Sequence, residues 1–270
     1  MLIVDNVSLQ VNGRHLVKNI SFSLTPGEML VIVGANGAGK STLLKIISGE
    51  KKNYDGDIYL FGKKISDYNI KDLARKRTVL NQKNVVNIDF LCSEIVIMGR
   101  YPYFNGKPRA IDLKVVEEAM EVCGVAHLAD RSYLTLSGGE QQRIQYARIL
   151  AQIWDQKEAL IILDEPITGM DLQYQHQTLA IAKALTEKGY MVITVLHELT
   201  LAAQYSSRIL MLKNGRKWKD GNAYEVLNQK NIYAVFNVDS QISIDEDSLS
   251  INILNKAVVL NADEFNTCCS

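Results

Sequence analysis

One short stretch of the chain, residues 34–42, restricts its fold more than any other feature. The stretch reads Gly-Ala-Asn-Gly-Ala-Gly-Lys-Ser-Thr and satisfies the pattern G-x-x-x-x-G-K-S/T. An apolar run typical of a buried strand, residues 29–33, precedes it, and we expect a helix to begin near Ser41. In this arrangement glycines let backbone N–H groups surround a phosphate, and the helix N-terminus adds about half a positive charge. The sequence therefore predicts a strand, a phosphate-binding loop and a helix in an α/β protein.

The residues of this loop have separate expected roles. Lys40 is expected to reach the β- and γ-phosphates of a nucleotide, and the hydroxyl of Ser41 is expected to bind Mg²⁺. The other nucleotide contacts are expected from Gly34, Asn36, Gly37, Ala38, Gly39 and Thr42. A glycine-rich turn without a ligand is the alternative, but it does not explain the strand and helix signals on both sides of the loop.

A second strand signal, residues 160–163, ends in two acids, Asp164 and Glu165. A carboxylate at the end of a buried strand can hold Mg²⁺ through a water molecule, and we assign that role to Asp164. The next side chain projects in another direction and can polarise an attacking water, which is the role expected of Glu165. The alternative is that the acids cap the following helix, which leaves the apolar run unexplained.

A third motif lies between these two in the chain. Residues 136–142 read Leu-Ser-Gly-Gly-Glu-Gln-Gln and open an amphipathic helical pattern that continues to Ile153. Alone, Ser-Gly-Gly is typical of a helix-capping turn. In the order phosphate loop, this motif and acidic strand, it resembles the signature motif of ATP-binding cassette (ABC) ATPases. The resemblance implies a P-loop NTPase core of the ABC type, in which a mixed sheet is joined to an antiparallel β subdomain and an inserted helical subdomain.

The resemblance implies roles for residues outside these motifs. Gln82 is expected to contact Mg²⁺ and to couple the core to the helical subdomain, and His197, which follows an apolar run, is expected to be the switch histidine. Together with Glu165, these are the expected catalytic residues. Asp171 ends the stretch 167–171, which matches the loop through which two subunits communicate. A lone Gln or His is more often a surface or core residue, so these roles depend on the family match.

The resemblance also implies a dimer. In the family the signature of one subunit completes the nucleotide site of the other. Ser137, Gly138 and Gly139 are therefore expected to contact ATP that is held by a second copy of the chain. Because the chain has a single phosphate loop and a single signature, two ATP molecules would lie between two copies of it, or between the chain and a homologous second subunit. Closure of the dimer on ATP and its opening after hydrolysis would drive a membrane partner.

One family feature is missing from the sequence. In the family an aromatic side chain near the end of the first strand stacks on adenine, but the aligned positions are Leu9, Gln10 and Val11. His15 lies close by and is a candidate substitute, while a solvent-facing histidine in a turn is the simpler alternative. We therefore expect weak discrimination between ATP and GTP.

The stretch 93–103 indicates a subclass. It resembles the segment that faces the membrane partner in ATPases of iron-siderophore, haem and cobalamin importers. We expect two permease subunits to contact the segment from Met98 to Phe104, and a periplasmic or surface substrate-binding protein to belong to the same system. Residues 130–133 and 139–154 are most similar to the ATP-binding subunits of haem (hemin) importers, and the similarity covers residues 1–238.

Haem is therefore the expected cargo. This expectation depends on the resemblance to haem importers and not on any haem-binding residue, because an ATPase subunit does not touch the cargo. A ferric-siderophore or cobalamin importer is the alternative within this subclass. A soluble ABC ATPase for iron–sulfur cluster assembly is an alternative of another class. Glu165 argues against a further alternative, a regulatory subunit that hydrolyses little ATP.

Composition restricts partners and location. The chain of 270 residues has 30 basic and 30 acidic residues, so it lacks the basic excess typical of nucleic-acid binding. No apolar run approaches the roughly 20 residues of a spanning helix. We expect a peripheral protein on the cytoplasmic face of the inner membrane, attached by protein contacts. The four cysteines lack metal-ligand spacing and are expected to be free thiols.

The expected domain organisation follows from these patterns. Residues 1–238 are expected to form the ABC ATPase domain, with a helical subdomain at approximately 85–150 inserted after Gln82. The last stretch, 239–270, is rich in acids and contains short apolar runs. It is predicted to be either a small β unit or a tail.

Overall fold

The computed structural model describes residues 1–82, 86–245 and 250–256. Within these residues a six-stranded sheet has the order β10-β9-β3-β8-β7-β6, and all neighbours are parallel except β10 and β9. Its strands are β3 (Met29–Gly34), β6 (Arg77–Leu80), β7 (Leu160–Asp164), β8 (Met191–Val195), β9 (Arg208–Lys213) and β10 (Arg216–Gly221). Four neighbouring parallel strands, β3, β8, β7 and β6, thus end at the same edge of the sheet, where α/β proteins bind ligands.

A second sheet is antiparallel and has the order β2-β1-β4-β5 among the described strands. Its strands are β1 (Leu2–Val11), β2 (Arg14–Leu24), β4 (Asp55–Leu60) and β5 (Lys63–Lys64). The turn at Asn12 and Gly13 joins β1 to β2, and both residues have positive φ, as a tight hairpin requires. The mixed sheet and the antiparallel β subdomain confirm the predicted fold class.

Strand β3 is buried on both faces because it lies between two hydrophobic cores. Met29, Val31 and Val33 belong to the core shared with helices, whereas Leu30 and Ile32 belong to the core shared with the antiparallel sheet. Successive side chains of a strand point to opposite faces. A continuous apolar run, rather than an alternating one, is therefore what this central strand needs.

Helices cover the central sheet. They are α1 (Lys40–Ile47), α2 (Ile70–Lys76), α3 (Cys92–Ile97), α4 (Ala110–Val122), α5 (Gly138–Ile153), α6 (Leu172–Glu187), α7 (Leu199–Tyr205), α8 (Ala223–Val226) and α9 (Gln229–Phe236). Helices α3, α4 and α5 pack on one another through buried residues such as Ile95, Val116 and Ile144. Helices α3 and α4 lie within the stretch 85–150 for which the sequence predicts a helical subdomain, and α5 begins within it and continues to Ile153. The boundaries of the subdomain remain a prediction. No helix in the described part of the chain is long and apolar enough to cross a bilayer.

The start of the C-terminal stretch forms a small β unit. Strands β11 (Ser240–Asp245) and β12 (Ser250–Asn255) pair in antiparallel fashion, and β12 packs on α7. The predicted apolar run 257–260 lies outside the described residues, as do Cys268 and Cys269. The other two cysteines, Cys92 and Cys123, are buried free thiols, as expected.

Candidate functional site

The phosphate-binding loop joins β3 directly to α1. Gly37 and Gly39 have φ of +75° and +98°, a region of backbone conformation that favours glycine. Gly39 is the N-terminal cap of α1, so the first free N–H groups of this helix face the loop. The ammonium of Lys40 donates to the carbonyl oxygens of Gly34 at 2.7 Å and Ala35 at 3.1 Å. Burial lowers the pKa of Lys40, and the carboxylates of Glu165 and Asp164 oppose this effect.

Asp164 ends β7 opposite the start of α1. The hydroxyl of Ser41 donates to Oδ1 of Asp164 at 3.2 Å, although the two residues are 123 positions apart. Burial raises the pKa of Asp164, whereas the hydrogen bond from Ser41 lowers it. A hydroxyl and a carboxylate oxygen in this arrangement are hard oxygen ligands, which suit Mg²⁺. The residues present thus fit the predicted metal, and Gln82 adds an amide oxygen at the same edge of the sheet.

Glu165 lies at the centre of the site. Nε2 of Gln82 donates to its Oε2 at 2.6 Å, and Nε2 of His197 lies 2.6 Å from its Oε1. Because a carboxylate only accepts, Nε2 of His197 carries the hydrogen. The structure therefore brings together three predicted catalytic residues that follow the ends of β6, β7 and β8. Sequence reasoning did not predict the backbone of Glu165, whose φ of +53° is uncommon for a residue with a side chain and typical of functional sites.

The signature motif begins α5. Ser137 is the N-terminal cap, its hydroxyl accepts from the backbone N–H of Glu140, and the carboxylate of Glu140 accepts from the backbone and hydroxyl of Ser137. This reciprocal capping box leaves Ser137 and Gly138 exposed. None of the three signature residues lines the cleft beside the phosphate loop in the same chain. Asp171, exposed at the start of α6, lies outside that lining as well.

The cleft beside the phosphate loop has a volume of about 310 Å³. It is lined by Arg14, Leu16, Asn36, Gly37, Ala38, Gly39, Lys40, Ser41, Thr42 and Glu165. Every predicted nucleotide contact from Asn36 to Thr42 is in this lining, while Gly34 holds Lys40 through its carbonyl. Arg14 and Leu16 are members that sequence reasoning missed. The turn at Asn12 and Gly13 predicts only that β2 returns alongside β1, and no sequence signal places this pair beside the phosphate loop.

The comparison with known families decides what kind of site this is. The ABC transporter family matches residues 17–168, which include the phosphate loop, the signature and the acidic strand. The chain belongs to the ABC transporter family. This confirms the resemblance inferred from the motifs.

Relatives in this family cover most of the chain. The hemin import ATP-binding protein HmuV of Gloeobacter violaceus is 44% identical over 219 residues, which are 80% of this chain and 80% of that protein. The protein of the same name from Plesiomonas shigelloides is 40% identical over 251 residues, 88% of this chain and 95% of that protein. That from Pseudomonas aeruginosa is 39% identical over 240 residues, 88% of this chain and 93% of that protein.

Solved structures of ABC proteins share the fold. A metal-chelate type ABC transporter in an inward-facing conformation superposes with a TM-score of 0.80 at 26% identity, over 95% of this chain and 97% of that one. The ATP-binding cassette MJ0796, a dimer in a post-hydrolysis state with ADP and phosphate, has a TM-score of 0.73 at 25% identity, over 83% of this chain and 99% of that one. The chain is thus an ABC ATPase in both sequence and fold.

In this ABC ATPase the segment from Met98 to Phe104 packs against α5. The guanidinium of Arg100 is fully buried and donates to Oδ1 of Asp112 at 3.1 Å and to the carbonyl of Ala151 at 2.9 Å. Next to it, Tyr101 is 56% exposed. The segment thus presents one large side chain outward while a buried ion pair holds it to the helices.

Proposed function

We propose that this chain is the ATP-hydrolysing subunit of an importer that takes up haem across the cytoplasmic membrane. The observation that carries the proposal is the carboxylate of Glu165, held by Gln82 and His197 next to the cleft of the phosphate loop. Each carboxylate oxygen accepts one of these bonds and keeps a second lone pair for another donor. Glu165 can therefore accept a hydrogen bond from a water and take its proton during attack on the γ-phosphate.

The other residues bind and orient the nucleotide. Backbone N–H groups of the loop and Lys40 hold the phosphates, and Lys40 neutralises charge on the leaving diphosphate. Bound Mg²⁺, held by Ser41, Gln82 and, through water, Asp164, would neutralise charge between the β- and γ-phosphates. Water attacks the γ-phosphorus, the bond to the β-phosphate oxygen breaks, and ADP and phosphate leave.

We also propose that the active form is a dimer of two copies, with ATP between them. Ser137 and Gly138 are exposed, Gly139 is half-buried, and none of the three lines the cleft of its own chain, which suits contact with the nucleotide of a second copy. Asp171 is exposed near the same face, since Gly139 lies close to Gly169. The dimeric cassette MJ0796 supports this arrangement.

The permease contact is proposed at a surface that includes the segment from Met98 to Phe104. Nη2 of Arg75 donates to the carbonyl of Pro102 at 2.7 Å, which fixes α2 beside this segment. A groove of about 510 Å³ is lined in part by Ile70 and Leu73 of the same helix. Its apolar lining is Tyr54, Ile65, Tyr68, Ile70, Leu73 and Val79. Because Ile70 is 86% exposed and Tyr101 56%, the surface suits a partly apolar cytosolic segment of a membrane protein.

This contact surface can be tested with matched variants. Ile70→Asp and Tyr101→Ala should weaken co-purification with the permease, because each removes apolar contact area from the proposed surface. Ile111→Asp, which changes an equally apolar exposed side chain on α4, should not. A complex that survives both changes would place the permease elsewhere.

Haem is proposed as the cargo because several relatives are hemin import ATP-binding proteins at 39–44% identity. A wider class of metal chelates is the second candidate, favoured by the likeness to a metal-chelate type transporter. In either case the protein would lie on the cytoplasmic face of the membrane, and a substrate-binding protein would deliver the cargo.

Transport by the reconstituted complex tests the proposal. The chain is reconstituted with its permease in liposomes that contain ATP on the side of the ATPase, and haem, a ferric siderophore or cobalamin is offered with the matching binding protein. We expect ATP-dependent haem uptake, which Glu165→Gln abolishes and Glu187→Gln leaves intact. Uptake of the siderophore or cobalamin without uptake of haem would overturn the assignment of cargo.

A further inference from the structure

The nucleotide cleft contains a side chain whose role is not explained by phosphate binding. We propose that Arg14 forms the nucleobase subsite with Leu16, the guanidinium plane stacking on the purine ring of the nucleoside triphosphate. This inference deepens the proposed ATP site and rests on ATP binding, not on the cargo. The guanidinium of Arg14 would then stack on the base in place of the aromatic side chain that the sequence lacks.

The candidates that the sequence suggested do not reach the cleft. Leu9 is 6% exposed and belongs to the core between the two sheets. The amide of Gln10 donates to the carbonyl of Gly13 at 2.9 Å within the hairpin turn. Val11 and His15 are exposed but do not line the cleft.

The alternation of strand β2 explains why Arg14 and Leu16 line the cleft and His15 does not. Side chains two positions apart in a strand lie on the same face. Arg14 and Leu16 therefore share the face toward the phosphate loop. Leu16 offers apolar surface, and Arg14 offers a planar group beside it.

The start of β2 is held firmly against the phosphate loop. Lys18 N–H donates to the carbonyl of Gly215 at 2.7 Å, and Gly215 N–H donates to the carbonyl of Ala38 at 3.1 Å. A Cβ on Gly215 would lie 2.7 Å from the carbonyl oxygen of Leu16, and a Cβ on Gly39 would also collide with that oxygen. Both glycines have positive φ. This close junction sets the distance between the phosphate site and the proposed base site.

Arg14 and Leu16 line a part of the cleft that neither the phosphate loop nor Glu165 provides. Lys40 and Glu165 mark the phosphate end, so a base must lie at another part of the same cleft, and Arg14 and Leu16 are the lining residues outside the loop and the acidic strand. Within the described residues the side chain of Arg14 makes no hydrogen bond or ion pair, so its guanidinium is available to a ligand. A guanidinium plane stacks on any base without reading its edges.

Binding to the isolated chain tests this proposal. The affinities for ATP, GTP and inorganic tripolyphosphate are measured by competition with a fluorescent nucleotide. Arg14→Ala should weaken ATP and GTP alike, by about tenfold, and should leave tripolyphosphate affinity unchanged. Arg14→Lys keeps the charge but removes the plane, so it should weaken ATP nearly as much. Two variants are the controls and should leave all three affinities unchanged. His15→Ala changes an exposed histidine on the other face of β2, and Arg216→Ala changes an exposed arginine beside Gly215.

Each of the following outcomes would contradict the proposal. Weaker tripolyphosphate binding in Arg14→Ala would mean that Arg14 contacts phosphate. Full ATP affinity in Arg14→Lys would mean that charge alone matters, and full affinity in Arg14→Ala would mean that no contact exists. The assay needs neither permease nor cargo, so failure of haem transport and failure of this subsite are separate results.

Discussion

His197 and Glu165 lie 32 residues apart in the chain, yet Nε2 of the histidine is 2.6 Å from a carboxylate oxygen of the glutamate. Gln82 holds the other oxygen at the same distance from its amide nitrogen. The carboxylate is thus held from two sides, and a strained backbone at Glu165 aims it. This geometry supports a group that orients and deprotonates a water.

Replacing the carboxylate should separate binding from chemistry. Glu165→Gln is expected to bind ATP with unchanged affinity and to lower kcat by about 10² to 10⁴, because a general base is lost while the phosphate contacts remain. Equilibrium binding and steady-state phosphate release measure the two effects. Glu187→Gln at the exposed end of α6 is the matched control. An unchanged kcat in Glu165→Gln would rule out this residue as the base.

Lys40 should matter for binding itself. Lys40→Ala is expected to weaken ATP by about a hundredfold or more, because a charge-assisted contact to phosphate is lost from a site that burial protects from water. Lys45→Ala, on the same helix, removes an exposed lysine that forms a surface ion pair with Glu50 and should have little effect. Equal losses in the two variants would contradict the specific role of Lys40.

The signature should act on the nucleotide of a second copy. In a Glu165→Gln background, ATP should produce a dimer in sedimentation experiments. Adding Ser137→Asp should prevent the dimer without weakening ATP binding by the monomer. Aspartate keeps the helix cap but places a negative charge near the γ-phosphate of the partner's nucleotide. Ser137→Asn keeps the cap without the charge and is the control. Weaker ATP binding by the monomer in Ser137→Asp would indicate contact within one chain.

The buried Arg100 should be costly to remove. Arg100→Met leaves the buried carboxylate of Asp112 without one partner and is expected to lower the free energy of unfolding by about 3 to 5 kcal/mol, measured by denaturant titration. Lys114→Met breaks an exposed pair with Glu118 and should change stability by less than about 1 kcal/mol. Similar values for the two variants would mean that the buried pair contributes no more than a surface one.

Asp112 should make the stability of the folded protein depend on pH in the acid range. Burial alone would raise the pKa of this carboxyl, but hydrogen bonds from Arg109 and Arg100 outweigh it and hold the pKa below its usual range. The unfolded chain then binds more protons, so stability from this group is present above about pH 4 and is lost as the pH falls through the lowered pKa. Asp112→Asn should reduce the slope of the free energy of unfolding against pH below about pH 4. An unchanged slope would contradict the assignment.

Much of the site could be predicted from local patterns. Residues 34–42, 136–142 and 160–165 each carry their chemistry in consecutive residues, because a loop, a helix cap and a strand end are short-range structures. The positions of Gln82 and His197 followed from the family order of motifs. Their contacts with Glu165 did not, because they depend on the pairing of β6, β7 and β8.

The sequence by itself determined the fold class and the family, and it predicted the phosphate-binding residues, since all three depend on motifs and their order along the chain. Only the tertiary structure decided which residues face the rest of the nucleotide cleft. Strand β2 is brought to the phosphate loop by the turn at Gly215, about 200 positions away from Arg14, and no local pattern records that contact. Side-chain direction along β2 then selects Arg14 over His15, because alternate residues of a strand face opposite sides.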